Sequence, residues 1–126
     1  MTPEIPLAFC AVLAALAMFQ LLLILGLPLG RYAWGGQAPV LPGRLRAGSA
    51  VAIAVYAVMG VVALDRSGLS SVLPSPSIAV VAMWVVAGYL LLSVLPNLAS
   101  KSKAEKRVMV PVSLLLAALA FAIALN

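Results

Sequence analysis

The stretch from Ile5 to Leu27, IPLAFCAVLAALAMFQLLLILGL, contains no charged side chain. At a rise of about 1.5 Å per residue it reaches roughly 35 Å as a helix, enough to cross a hydrocarbon layer about 30 Å thick. Three further stretches, Ala47–Leu64, Ile78–Leu95 and Val108–Leu125, read the same way, and almost every charge lies between or beyond them. The pattern predicts an all-α fold, a four-helix transmembrane bundle forming one domain over residues 1–126. Its spans fall at about 5–27, 47–64, 78–95 and 108–125, antiparallel in sequence order.

Composition agrees: 65% of residues are hydrophobic and 9% charged, with mean hydropathy +1.20, against about 25% charged in soluble domains. Seven of the eight basic residues fall in two connections, Arg31, Arg44 and Arg46 after the first span and Lys101, Lys103, Lys106 and Arg107 after the third. The other side carries Glu4, Asp65 and Arg66. The positive-inside rule then puts both basic connections on the cytoplasmic face of the cell membrane and both termini outside. The start, Met1-Thr2-Pro3-Glu4, lacks a positive n-region, so the first span is expected to be retained. Net charge is +5, but the cations flank spans, so anionic lipid headgroups and not nucleic acid are the expected partner. Cys10 stands alone, which leaves no internal disulfide.

The connection from Pro28 to Gly48 is rich in Gly and Pro and contains Tyr32 and Trp34. These aromatics, beside Arg31, are expected at the headgroup level and facing outward from the bundle. Asp65 through Ser77 reads as a plain linker, with Pro76 opening the third helix. The third span is expected to stop at Pro96-Asn97. Ser102-Lys103-Ala104-Glu105 fits the S-x-x-E capping box, so the fourth helix should begin near Lys103, with Pro111 about two turns in. Leu22-Leu23-x-x-x-Leu27-Pro28 matches Leu90-Leu91-x-x-x-Leu95-Pro96, which would make the two hairpins parallel repeats. Pairs of Ala four residues apart, at 11/15, 50/54, 118/122 and 120/124, permit close helix approach.

Depth brings the polar residues together. Counted from the cytoplasmic ends, Gln20, Tyr56, Tyr89 and Ser113 all lie roughly 9–13 Å into the membrane, one on each helix. Ser93 and Asn97 follow Tyr89 on one helical face, and Ser49 precedes Tyr56 by two turns. Two readings are open: hydrogen bonds across helices that fix the bundle, or a small polar cavity roofed by Trp84 and binding a ligand through Gln20, Tyr56, Tyr89, Ser93 and Ser113. The chain has no His, and its three carboxylates lie near span boundaries. General acid–base chemistry and zinc hydrolysis need groups that are missing here, so no enzyme, catalytic residue, metal or cofactor is expected.

The strings Pro28-Leu29-Gly30-Arg31-Tyr32-Ala33-Trp34-Gly35-Gly36-Gln37, Val40-Leu41-Pro42, Leu45-Arg46 and Ala63-Leu64-Asp65-Arg66-Ser67-Gly68 resemble a group of small bacterial four-span integral membrane proteins without an assigned activity. The segment Asn97 to Pro111 is similar to the start of that group's fourth span. The resemblance implies the span count and brings no substrate or catalytic residue. Small multidrug exporters differ in carrying a Glu within the first span, and fluoride channels in their Asn-bearing second span. The function expected is a non-enzymatic membrane protein that binds a lipid or hydrophobic ligand, or an accessory subunit of a larger membrane-protein partner. The alternative is a small-solute or drug-like-molecule transporter working as a homodimer.

Overall fold

The computed structural model describes residues 2–126. These form four α-helices, α1 (Glu4–Ile24), α2 (Gly43–Arg66), α3 (Pro76–Leu98) and α4 (Lys103–Leu125), with no strand among the described residues. Each helix is long and apolar enough to cross a membrane. They alternate in direction. At one end the two basic connections meet, where the Ser102 hydroxyl donates to the Arg31 carbonyl. At the other, α2 and α4 finish side by side and Arg66 Nη2 donates to the Asn126 carbonyl at 2.8 Å. We call these the basic end and the terminal end. The four-helix transmembrane bundle read from the sequence is the fold.

Helix limits follow local chemistry more closely than charge. α1 stops at Ile24, short of Leu27, because Gly26 takes φ +93° and a Schellman turn closes there. Its bonds are Leu27 N–H to Leu22 C=O at 3.1 Å and Gly26 N–H to Leu23 C=O at 3.1 Å. Gly68 ends α2 the same way. α2 and α4 instead run past the uncharged stretches, taking in Arg44 and Arg46 and Lys103, Lys106 and Arg107. Backbone hydrogen bonding continues through the headgroup layer, so the uncharged window marks hydrocarbon and not helix. α3 also outruns its expected stop, carrying Pro96 inside and reaching Leu98. Near a helix end the missing proline amide removes one bond from a ladder already running out. The Leu-Leu…Leu-Pro match therefore does not survive folding: its first copy straddles a Schellman turn and its second stays helical.

The terminal half of the bundle is packed around Phe9, Leu13, Met59, Met83, Leu116 and Ile123. Ala63, Ala87 and Ala120 are fully buried in it, letting backbones approach where lipid supplies no hydrophobic drive. Of the four spaced Ala pairs only Ala120/Ala124 is buried; Ala11, Ala15, Ala50, Ala54 and Ala118 face outward. Leu7, Val58, Val81, Leu92 and Leu125 are likewise exposed, as a surface bathed in acyl chains allows. The closest pairings are α1 with α2 and α3 with α4.

The first basic connection is folded onto its end of the bundle. It contains two 3₁₀ turns, Gly30–Tyr32 and Trp34–Gly36, and it buries Ala33 and Leu41 against Leu23 of α1 and Leu45 of α2.

Candidate functional site

Within the basic half the packing opens into a cavity of about 310 Å³ reached by all four helices and the folded connection. α1 supplies Phe19 and Gln20, α2 supplies Ala52 and Tyr56, α3 supplies Tyr89, Leu90, Ser93 and Asn97, and α4 supplies Glu105, Met109, Ser113 and Leu116. The connection closes it with Tyr32, Ala33 and Trp34. All five residues of the expected polar layer, Gln20, Tyr56, Tyr89, Ser93 and Ser113, thus line one space.

The two serines of this layer do not knit the helices together. Ser93 Oγ donates to Leu90 C=O at 2.6 Å and Ser113 Oγ to Val110 C=O at 3.1 Å, each within its own helix. Tyr56 and Gln20 share a side-chain hydrogen bond from α2 to α1, while the buried Gln20 Oε1 has no donor. The one bond across the α3–α4 pair here is Asn97 Nδ2 to Met109 C=O at 3.5 Å. Serine hydroxyls that turn back on their own helix satisfy themselves without a neighbour, and what they leave between the helices is open space.

Trp84 does not roof the cavity. It is 42% exposed and meets Phe121 edge to face at 6.0 Å on the outer surface of α3 and α4. Buried Leu90 and Leu116 close the space instead. Tyr89, at 56% exposed, Pro96 and Trp34 are the exposed members of the lining, so one mouth of the cavity lies beside them.

Tyr32 and Trp34 turn in, against the outward placement expected. Trp34 sits at φ +53°, followed by Gly35 at +71° and Gly36 at +72°. This left-handed run swings the indole onto α2, where Nε1 donates to Ser49 Oγ at 3.3 Å. Gly48 makes room for it, since a Cβ there would lie 2.7 Å from the indole Cη2. Tyr32 is held by Arg31, whose Nη2 donates to the phenol oxygen at 2.8 Å and whose guanidinium lies 4.8 Å from the ring centroid. Of the remaining basic side chains, Arg44, Lys101, Lys103, Lys106 and Arg107 are exposed. Arg46 folds back to donate from Nε to Leu41 C=O at 2.8 Å.

One lining residue escaped the sequence reading. Glu105 was expected to complete the capping box, but only half of the box forms. Ser102 Oγ accepts from Glu105 N–H at 3.2 Å, while Ser102 N–H donates to Ser100 Oγ at 3.1 Å and so needs no carboxylate. Glu105 is 7% exposed and lines the cavity. Helical spacing carried the signal, because Glu105, Met109 and Ser113 follow at i, i+4 and i+8 on one face.

Compared with known proteins, the chain matches no family model, no curated protein and no solved structure.

Proposed function

We propose that this small membrane protein holds an amphipathic ligand, a lipid or a hydrophobic small molecule, with the ligand's polar part in the cavity at the basic end. The observation carrying the reading is that the five polar-layer residues line one space and that the Ser93 and Ser113 hydroxyls bond within their own helices, leaving it open. A second hollow favours an amphipathic occupant. An apolar groove of about 630 Å³ runs between α1 and α4, and Leu16, Phe19, Tyr32, Met109 and Val112 line both it and the cavity. A polar head inside and an acyl tail along that groove would satisfy each surface with like chemistry. The packed core of the terminal half favours holding a ligand over conducting one. The reading is of a non-enzymatic protein of the bacterial inner membrane, with its basic end in the cytoplasm against anionic headgroups.

The test is native mass spectrometry of the full chain extracted into lipid nanodiscs. A reproducible adduct is expected on the wild type and not on Ala52→Phe, whose ring would enter the cavity from a half-buried position on α2. A bare monomer, or an adduct indifferent to Ala52→Phe, would overturn the reading. A homodimer without adduct would favour transport, and a larger protein at fixed stoichiometry an accessory role.

A further inference from the structure

We propose that the buried part of the ligand is an organic cation, a protonated amine or quaternary ammonium, and that Glu105 is its counter-charge. The proposal rests on the ligand-holding reading and adds the chemistry of the head. Glu105 is 93% buried by its 7% exposure. Its amide is used by Ser102, but its carboxylate has neither an ion pair nor a hydrogen bond among the described residues. Its place in the first turn of α4 puts the charge where the helix dipole favours an anion, and the residue lines the cavity. A buried carboxylate without a partner is unfavourable unless something brought in from outside completes it.

The rest of the wall selects the sign of that partner. Gln20 Oε1, on a side chain 9% exposed, is a second acceptor without a donor. The Ser93 and Ser113 hydrogens are engaged on Leu90 and Val110 carbonyls, so these hydroxyls present lone pairs. The Asn97 amide is turned to Met109 C=O. Tyr56, Tyr89 and Trp34 add aromatic surface, whose electron-rich faces attract ammonium groups. Acceptors and rings suit a cation. An anion would meet Glu105, and no basic side chain of this end is among the lining residues: Arg31 lies against Tyr32, Arg46 is turned to Leu41 C=O, and Arg44, Lys101, Lys103, Lys106 and Arg107 are exposed.

Two probes of matched shape test it, 4-phenylbutylamine and 4-phenylbutanol, added to the full chain in maltoside micelles. Trp34 at the mouth reports binding by fluorescence in a Trp84→Phe background. The amine should saturate at a concentration roughly 10- to 100-fold below the alcohol, the gain of a charged hydrogen bond. Glu105→Gln should bring the amine to the alcohol's level and leave the alcohol unchanged. Should Glu105→Gln not fold, Gln20→Lys carries the test: a lysine ammonium in the cavity should exclude the amine more than the alcohol. Equal binding of both probes, or an amine preference that survives these substitutions, overturns the cation and leaves the cavity standing. Saturation by neither probe overturns the ligand-holding reading and the cation together.

Discussion

Gly48 and Trp34 form an exacting side-chain contact at the basic end. A methyl group at residue 48 would stand 2.7 Å from the indole Cη2 and 2.8 Å from Cζ2, well inside van der Waals contact. Gly48→Ala should therefore push the indole off α2 and break its bond to Ser49, at a loss of about 1–3 kcal/mol in thermal unfolding. In a Trp84→Phe background the emission of Trp34 should shift to the red. Unchanged emission would mean that the notch does not hold the ring. At the terminal end Asp65 accepts from the Ser70 hydroxyl, from Val72 N–H at 2.9 Å and from Leu73 N–H at 2.6 Å. What reads as a plain linker is a turn wrapped around one carboxylate. Asp65→Ala should leave those amides unpaired and make residues 67–75 markedly easier to cleave by protease, whereas Ser71→Ala, in the same segment, should not.

The two serine caps separate local from long-range roles at the scale of single helices. Ser75 Oγ accepts from Ile78 N–H at 3.3 Å and caps α3 beside Pro76. Ser102 caps α4 equivalently, but its hydroxyl also donates to the Arg31 carbonyl and so ties the two basic connections together. Ser75→Ala should remove about 1 kcal/mol, as lost N-caps do. Ser102→Ala should remove more and also speed amide exchange across residues 30–36, which Ser75→Ala should leave alone. The starts of α3 and α4 were legible in the sequence because a cap is written in a few adjacent residues. The ends were less so: whether Pro96 stops α3 depends on how much ladder follows it, and Gly26 ends α1 inside a stretch that hydropathy treats as uniform. Glu105 was misassigned for a related reason. The capping box names two bonds, and Ser100, outside the motif, took one of them.

At the scale of the whole molecule, the span count was legible because lipid excludes charge, and the polar layer because depth along four antiparallel helices can be counted. The inward fold of the first connection was not, since hydropathy does not register the left-handed turn from Trp34 to Gly36 that aims the indole. Orientation is testable directly. In a Cys10→Ala background, Lys101→Cys should react with a membrane-impermeant maleimide only after the inner face is opened, and Ser71→Cys in intact spheroplasts; the opposite pattern would reverse the topology. The pairing of neighbours, α1 with α2 and α3 with α4, has a consequence for how the molecule comes into being. Each pair consists of helices consecutive in the chain, so contacts local in sequence form within it as synthesis proceeds. Once α2 has emerged, the first hairpin has all of its own partners. The cavity takes walls from both hairpins, so it is the last feature to exist, and a ligand present in the membrane during synthesis meets the two halves before they join.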